Sequence, residues 1–411
     1  MRFLMVSTFY PPFSFGGDAI SVQQLSRALV RRGHSVTVVH DVDAYQALHP
    51  GPARVAASEV DDGVQVIGLK SRWGALSPLL VHQLGRPVLH SRRLRDLLGA
   101  GRFDVVTFHN PSLIGGPGIL TWPRDSVTVY VAHEHWLVCP THVLWRYRRE
   151  RCDRRECLRC VASYRRPPQL WRYTGAINRA LRSIDLVLAL SEFSRSKHRE
   201  FGLEREMLVL PNFIPDALPG RDATEPPQQR PYFLFAGRLE RIKGLDDVVP
   251  VWRRVLDADL LIAGQGEHGD HLKRLAAGLP SVRFLGQLTR EELFRYYRHA
   301  VAVLVPSEGY EASSLVLLEA LSAGTPVLAR AVGPLRELVA ASEAGELFSA
   351  AEELPALVDR LSRDPAHRAR LSDNARKAIR ERWAESVVVP RFLALVAEQA
   401  ARKRIPRTPA D

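Results

Sequence analysis

Short apolar runs alternate with amphipathic helical patterns along most of the chain, and this alternation constrains the fold more than any other feature. Residues 2–8 have the pattern of a strand, 19–32 that of a helix and 35–40 that of a second strand. Strands that alternate with helices form parallel sheets covered by helices. The sequence therefore predicts an α/β fold. Further strands are expected at 105–108, 127–132, 186–190 and 207–210.

The first helix pattern also carries signals for its two ends. Val22, Leu25 and Leu29 fall on one face and would pack on the sheet. Asp18 can cap the start of this helix, and Gly33 can end it.

The alternation stops once and then starts again. Residues 216–230 are polar and rich in proline, which is typical of a linker. A chain of 411 residues is also longer than one hydrophobic core usually organises. We therefore predict two tandem Rossmann-like, doubly wound domains at 1–215 and 231–385, followed by a C-terminal helix and a frayed tail at 386–411. In the second domain, strands are expected at 232–236, 260–263, 282–285, 302–305 and 327–329.

The positive charge is unevenly distributed. The chain has 57 Lys and Arg against 45 Asp and Glu, a net charge of +12. Residues 1–215 contain 29 of these basic and 18 of the acidic residues, so they carry +11 of the total. Such an excess favours an anionic partner, whether nucleic acid, membrane surface or acidic substrate.

The sequence shows no pattern of a membrane-spanning helix. The longest uncharged run, 105–123, contains three glycines and three prolines. The apolar start of the chain is broken by Pro11 and Pro12, which is unlike a signal peptide. We therefore expect a cytoplasmic protein, with the inner face of the membrane as a candidate place of peripheral contact.

The segment 306–330 is the most informative part of the sequence. A strand pattern ends at residue 305, a polar loop follows, and a helix is predicted from about Ser314 to Gly324. Ser313 or Ser314 can cap this helix, and the amides that follow, beginning with Leu315, can bind a phosphate.

Two carboxylates of this segment have a spacing that bears on their chemistry. Glu311 and Glu319 would lie about 12 Å apart if the intervening residues were helical. The two carboxylates of a retaining glycosidase stand about 5 Å apart. The spacing favours two separate hydroxyl-binding groups along one extended ligand. The alternative is a capped helix with solvated glutamates.

A second loop places two cations after a strand pattern. Arg238 and Lys243 lie five residues apart between Gly237 and Gly244. Cations at a strand end can neutralise a departing diphosphate, which a metal ion does in other enzymes. The alternative is a surface turn rich in charge.

Taken in their order, these segments resemble the family-four retaining glycosyltransferases of GT-B fold. The core of the resemblance is an E-x(7)-E segment that ends in GTPV, preceded by GRL-x(3)-KG. Smaller matches are FYPPFSFGG at 9–17, HN at 109–110, HEHWLVCP at 133–140, SEFS at 191–194, PN at 211–212 and FLG at 284–286.

The resemblance implies an activity and a separate binding role for each domain. The protein would transfer a sugar, with retention and without a metal or other cofactor, from a nucleoside diphosphate sugar of the UDP or GDP type. The acceptor would be a glycan, a lipid-linked compound or a small molecule, held by the N-terminal domain. The C-terminal domain would bind the donor, with the active site in the cleft between the domains.

The resemblance also implies roles for individual residues. Arg238 and Lys243 would bind the diphosphate, Glu319 the ribose and Glu311 hydroxyls of the transferred sugar, while His133 would lie near the reacting carbon. The remaining donor-binding candidates are Gly16, Gly17, Gly266, Ser313, Ser314 and Leu315. The sequence departs from the family in two places. Ala312, Ser313 and Ser314 stand where the family usually has Gly-Phe-Gly, which bears on the backbone geometry of that loop, and Glu134 replaces a commoner Asp.

Two short motifs compete with this interpretation. The glycines at 264, 266 and 269 form a G-x-G-x-x-G, but the acidic residue that a dinucleotide site requires about 20 residues later is missing. We expect this loop to close over the nucleotide instead. Asp41 and Asp43 form a D-x-D, which holds a metal in another glycosyltransferase fold, but a solvated turn is the interpretation that we favour.

All four cysteines lie within 22 residues, in an arginine-rich insert at about 139–172. Four thiols that end in a C-x-x-C can form a structural zinc site, and four reduced or loosely paired thiols are an equally good interpretation. The candidate zinc ligands are Cys139, Cys152, Cys157 and Cys160.

Two other functions remain open at this stage. Another GT-B enzyme, such as a nucleotide-sugar epimerase or a phosphorylase-like enzyme, would need no second acceptor. A nucleic-acid-binding protein that uses the arginine-rich insert is a distant alternative. Because the donor cations lie in the nearly neutral second half, we attribute the charge excess to an anionic acceptor or an anionic membrane surface.

Overall fold

The computed structural model describes residues 1–49, 60–99, 102–216 and 225–403. The chain forms two compact units. The first comprises Met1–His142, Glu156–Asn212 and the chain from Val388 onward, and the second Val143–Arg155 and Phe213–Val387. Most of the predicted linker (217–224) and the end of the predicted tail (404–411) lie outside the described residues.

The first unit is built on a parallel sheet of eight strands in the described part of the chain, in the order β10-β9-β6-β5-β1-β2-β4-β3. Only β3 and β4 pair antiparallel there. The strands up to residue 212 are β1 (Arg2–Ser7), β2 (Ser35–Asp41), β3 (Val60–Asp61), β4 (Val64–Leu69), β5 (Val105–Asn110), β6 (Val127–Ala132), β7 (Trp145–Arg146), β8 (Glu150–Arg151), β9 (Leu186–Ala189) and β10 (Leu208–Val209).

Central strands of this sheet are buried on both faces, which explains their continuous apolar runs. Phe3, Leu4, Met5 and Val6 of β1 are all fully buried. The helices of this part of the chain are α1 (Gly17–Arg31), α2 (Val42–Leu48), α3 (Leu76–Leu84), α4 (Ser91–Leu98), α5 (Cys157–Ser163), α6 (Ala176–Leu181) and α7 (Glu192–Glu200).

The start of α1 differs from the prediction. Gly16, in an extended conformation, is the N-cap, and Asp18 lies in the first turn without capping it. A carboxylate there still interacts favourably with the helix dipole. At the other end, Gly33 has a positive φ of 79° and donates its amide to the carbonyl of Val30, as expected for a residue that ends a helix.

The second unit contains a parallel sheet in the order β13-β12-β11-β14-β15-β16. Its strands are β11 (Tyr232–Ala236), β12 (Asp259–Ala263), β13 (Val282–Gly286), β14 (Ala302–Val305), β15 (Val327–Arg330) and β16 (Gly345–Phe348). Its helices are α8 (Leu245–Val251), α9 (Gly269–Leu275), α10 (Arg290–His299), α11 (Leu315–Ser322), α12 (Pro334–Ser342), α13 (Leu354–Arg363), α14 (Pro365–Ala378) and α15 (Glu385–Lys403), the last of which belongs to the first unit from Val388 onward.

Helices cover both faces of each sheet, so the predicted α/β architecture of two Rossmann-like units is confirmed. Two core clusters flank the second sheet, one around Tyr297 and Leu317 and the other around Trp252 and Leu260. Within the described ranges, no helix combines the length and the apolar character that crossing a bilayer requires.

Candidate active site

Three loops of the second unit are held together at the carboxyl ends of the strands, and glycines make their close approach possible. The loops follow β11, β12 and β14. A Cβ atom at Gly264 would lie 1.9 Å from the carbonyl oxygen of Gly237, and one at Gly266 would lie 2.3 Å from that of Leu239. A Cβ at Gly244 would lie 2.1 Å from the carbonyl oxygen of Pro306. The G-x-G-x-x-G therefore serves loop packing, and a side chain at any of these positions would displace backbone.

The two predicted groups Lys243 and Glu311 meet in this place. Lys243 Nζ lies 2.6 Å from Glu311 Oε1, and Ser307 donates its hydroxyl to the same oxygen at 2.8 Å. Burial acts to raise the pKa of Glu311, but the charge of Lys243 and these hydrogen bonds outweigh it and lower the pKa below its usual value. The carboxylate is thus ionised and holds the ammonium group at the loop.

The helix that follows begins as predicted at Ser314. Its side chain accepts a hydrogen bond from the amide of Leu317 at 3.4 Å, so Ser314 and not Ser313 is the N-cap. Ser314 also contributes to the hydrogen bonding of Glu311. The first amides of α11, with Leu315 leading, are therefore beside the Lys243–Glu311 pair and can accept an anion.

Glu319 lies inside α11 in a different environment. Tyr297 donates its hydroxyl to Glu319 Oε2 at 3.2 Å, and Arg290 NH2 lies 3.8 Å from Oε1. Burial raises the pKa of Glu319, although Arg290 and the Tyr297 hydrogen bond oppose the shift. Tyr297 and Arg290 were not predicted from the sequence, because their α10 pattern reads as an ordinary amphipathic helix.

Arg238 and Arg330 complete the charged groups of these loops. Arg238 is half exposed and pairs with Glu240 at 2.8 Å. Arg330, which the sequence analysis did not single out, is buried, donates to the carbonyl of Pro306 at 2.9 Å and pairs with Asp247 at 2.8 Å. Arg330 thereby fixes the start of the loop that carries Glu311.

In the first unit, the predicted residue Gly16 caps the helix that follows β1, and His133 directly follows β6. His133 Nε2 is 2.9 Å from Nδ1 of His109, at the end of β5. Burial lowers the pKa of His133 to about 4, with a smaller opposing effect of Asp18, and burial also holds the pKa of His109 well below its usual value. Both imidazoles are therefore neutral at pH 7.

Asp18 and His109 were missed as site residues. Asn110 donates its side-chain amide to Asp18 Oδ2 at 3.1 Å, which joins the start of α1 to the end of β5. Gly17, the first residue of α1, is exposed beside them. A signal was present in the sequence, because His109 lies at the end of the β5 pattern and Asp18 begins the helix that follows β1, the parallel neighbour of β5.

The interpretation of Asp41 and Asp43 as a solvated turn is wrong. Both side chains are completely buried, because Asp41 caps α2 by accepting from the amide of Ala44 at 2.9 Å, and Asp43 accepts from the amide of Ser71 at 2.8 Å. Polar residues at a strand end are typical of a surface turn. Here the backbone amides of Ala44 and Ser71 hold both carboxylates inside.

In the described residues, the side chains of metal-ligand type that lie close together are not the cysteines of the insert. Among the described residues, groups of three or more metal-type ligand atoms close to one another are Asp41 with Asp43 and His90, and Asp246 with His268 and His271. Neither contains a cysteine, so the zinc site at Cys139, Cys152, Cys157 and Cys160 stays a prediction.

Three tryptophans of the first unit belong to its hydrophobic core. Trp136 is fully buried, and Trp122 and Trp171 pack on the core.

Comparison with solved structures identifies the class of fold. The chain resembles sucrose-phosphate synthase from Thermosynechococcus elongatus with a TM-score of 0.74 at 20% identity, over 98% of this chain and 100% of that one. It resembles Anabaena HepE in complex with UDP and glucose with a TM-score of 0.66 at 18% identity, over 97% and 99% of the two chains. These likenesses identify the GT-B fold.

Sequence comparison identifies the family. The family described as Glycosyltransferase Family 4 matches residues 15–218, and that described as Glycosyl transferases group 1 matches residues 220–378. Glycogen synthase of Mycobacterium tuberculosis is 28% identical over 100% of this chain and 98% of that protein. The MMP alpha-(1->4)-mannosyltransferase of Mycolicibacterium hassiacum is 26% identical over 94% and 96% of the two chains. The chain belongs to the family-four glycosyltransferases, and the resemblance seen in its motifs is confirmed.

Proposed function

We propose that this glycosyltransferase transfers a sugar from a nucleoside diphosphate donor to an acceptor hydroxyl with retention of configuration. The observation that carries the proposal is the pair of Lys243 and Glu311 beside the N-terminus of α11. A cation and a row of backbone amides at one strand end form a seat for a diphosphate. A carboxylate beside them can accept hydrogen bonds from sugar hydroxyls.

The same groups supply what the bond cleavage needs. The bond between the anomeric carbon and the diphosphate oxygen breaks, and negative charge develops on that oxygen. Lys243, Arg238 and the amides of α11 stabilise this charge more in the transition state than in the bound donor, which is the condition for catalysis. The acceptor oxygen then bonds to the anomeric carbon from the same face and gives its proton to the leaving diphosphate oxygen.

Glu319 and His133 position the donor in this proposal. The carboxylate of Glu319, oriented by Tyr297, accepts hydrogen bonds from the ribose hydroxyls. The neutral imidazole of His133, oriented by His109, contacts the transferred sugar with an uncharged ring. Gly16 and Gly17 keep side chains away from the donor phosphate, and Gly266 does so through the loop that it tightens.

The donor class is testable with a thermal-shift panel of UDP-, GDP-, ADP- and dTDP-sugars. A nucleotide that binds only the folded state raises the apparent stability. We expect a UDP- or GDP-sugar to give the largest shift, in keeping with the UDP bound to the structural relative HepE. The best donor is then assayed for sugar transfer to glycan and lipid acceptor pools. Conversion of the donor to another nucleotide sugar without an acceptor would instead identify an epimerase.

The role of Lys243 is tested by the variant Lys243→Ala. Removal of one charged group that stabilises the leaving diphosphate should lower kcat/KM about 100- to 1000-fold. Lys377→Ala, an exposed lysine on α14, is the matched control and should keep full activity. Because the variant leaves Glu311 without its cation, thermal melting must first show that it is folded at the assay temperature. Wild-type activity in folded Lys243→Ala would refute the assignment.

We further propose that the acceptor is anionic or lies on an anionic membrane surface at the cytoplasmic side. Residues 1–215 carry +11 of the net +12, whereas the donor cations Arg238 and Lys243 lie outside this range. Cosedimentation with vesicles should therefore increase with the fraction of anionic lipid and decrease with salt. Binding that is indifferent to both would leave only a soluble anionic acceptor.

A further inference from the structure

Three side chains outside the proposed donor site converge at the carboxyl end of β2. Asp41 ends that strand, Asp43 lies in the first turn of α2, and His90 precedes α4. The two carboxylates are 0% exposed, and the imidazole is 11% exposed. One ligand atom from each residue lies within 4.8 Å of those from the other two.

Two of the four carboxylate oxygens of Asp41 and Asp43 accept a hydrogen bond from a backbone amide. One oxygen of Asp41 accepts from the amide of Ala44, and Oδ2 of Asp43 accepts from the amide of Ser71. The other two, Asp41 Oδ2 and Asp43 Oδ1, are buried and have no hydrogen-bond partner within the described ranges. A buried carboxylate oxygen without a partner costs several kcal/mol of solvation, so something of opposite charge is expected there.

Apart from His90, whose Nε2 contacts Asp43, no basic side chain pairs with these carboxylates in the part of the chain that the structure describes. Neither carboxylate forms an ion pair with a lysine or arginine there, whereas the nearby Asp61 is paired with Arg27. Two carboxylates this close share either a proton or a cation.

The geometry favours the cation. Nε2 of His90 lies 3.3 Å from Oδ2 of Asp43. In a tetrahedral zinc site with bonds of about 2.0–2.2 Å, neighbouring ligand atoms stand about 3.3–3.6 Å apart. The observed separation therefore fits two ligands of one ion. An imidazole with two carboxylates suits zinc and similar transition metals better than magnesium or calcium.

We propose that Asp41, Asp43 and His90 bind one divalent transition-metal ion of the zinc type. The ion would neutralise the two buried carboxylates and tie together the end of β2, the first turn of α2 and the start of α4. A fourth position remains for water or for an oxygen of a bound molecule. This site is separate from the diphosphate groups of the second unit and takes no part in their proposed chemistry.

The test uses the full chain after removal of metal with EDTA and dialysis. Zinc is then titrated, with bound metal measured by mass spectrometry, and cobalt serves as a spectroscopic probe. We expect one equivalent to bind, to raise the melting temperature, and to give a cobalt spectrum without the charge-transfer band of a thiolate ligand. That spectrum separates this site from the four-cysteine candidate.

Variants locate the ion. His90→Gln, which changes a partly exposed side chain and is expected to fold, should weaken zinc binding by more than the 10- to 100-fold typical of outer ligand partners and abolish the melting shift. His271→Gln, in the second group of ligand-type residues, and the double variant Cys157→Ser, Cys160→Ser should retain both. Wild-type protein that binds no zinc, or zinc binding that survives His90→Gln, would overturn the proposal.

Discussion

The carboxyl ends of the strands differ between the two sheets in how their charged groups are paired. They are called here the first edge, in the first unit, and the second edge, in the second unit. At the second edge, Lys243 and Glu311 form an ion pair at the loop surface, and glycines bring three loops together around it. At the first edge, His109 and His133 are buried and neutral, and the carboxylates of Asp41 and Asp43 are buried beside His90 without a lysine or arginine partner in the described residues. Similar α/β units can thus carry either a partly exposed ion pair or a fully buried set of titratable groups.

The difference extends to the histidines. Burial lowers the pKa of seven histidines, and all of them lie in the first unit. They are His34, His40, His82, His109, His133, His135 and His198. A folded-state pKa below the unfolded value means that the unfolded chain binds protons first as the pH falls. The first unit should therefore be the acid-sensitive part of the molecule.

The largest expected effect is a difference between the two units in how their stability changes with pH. For His40 and His198, whose pKa values are lowered from 6.5 to about 4, stability is present above pH 6.5 and is lost as the pH falls towards 4. Each such histidine would cost about 2 kcal/mol at pH 5. Asp41, with its raised pKa, has the opposite sign and offsets roughly one of them.

Hydrogen exchange followed by mass spectrometry measures this prediction. At pH 5 compared with pH 7, and after correction for the intrinsic exchange rate, peptides of β5 and β6 should lose protection. Peptides of β14 and β15 in the second unit should change much less and serve as the internal reference. Equal loss in both sets would show that the buried histidines do not set the acid response.

A second prediction concerns the buried carboxylate of the second edge. Glu319→Gln keeps the shape of the side chain but removes a charged acceptor for the ribose hydroxyls. A hydrogen bond to a charged group contributes about 1.5–3 kcal/mol, so kcat/KM should fall about 10- to 100-fold. Glu291→Gln, an exposed residue of α10, is the matched control. Unchanged kinetics in Glu319→Gln would remove Glu319 from the donor site.

The smallest expected effect compares one helix cap from each unit. Ser314 caps α11 at 3.4 Å, and Ser191 caps α7 by accepting from the amide of Ser194 at 3.0 Å. Ser314→Ala and Ser191→Ala should each reduce the free energy of unfolding by about 1 kcal/mol. Only Ser314→Ala should also weaken donor binding. Parallel losses of donor binding in both variants would mean that the effect is general.

Sequence reasoning succeeded where a local pattern carries the information. The strands 127–132, 232–236 and 302–305 have the predicted bounds, and α11 begins at the predicted cap. The strands β4 and β16 were not predicted from the sequence, and each contains a glycine that interrupts its apolar pattern. The motif of Asp41 and Asp43, which the sequence analysis interprets as a solvated turn, is buried.

The failures have a common physical cause. Burial of Asp43 depends on Ser71 and His90, which lie 28 and 47 residues away along the chain. The orientation of Glu319 depends on Tyr297, and that of His133 on His109. Periodicity and capping rules relate residues that are close in sequence. They therefore identify the residues at the carboxyl ends of the strands, but not the distant residues that bury, orient or neutralise them.

The central claim is that the second edge binds the diphosphate through Lys243, and titration calorimetry tests it most directly. UDP, GDP, ADP and dTDP are titrated into wild-type protein, Lys243→Ala and Lys377→Ala. We predict that at least one nucleotide binds wild type and Lys377→Ala with equal affinity, and binds folded Lys243→Ala at least about tenfold more weakly. Equal affinity for all three proteins, or no binding of any of the four nucleotides to wild type, would contradict the claim.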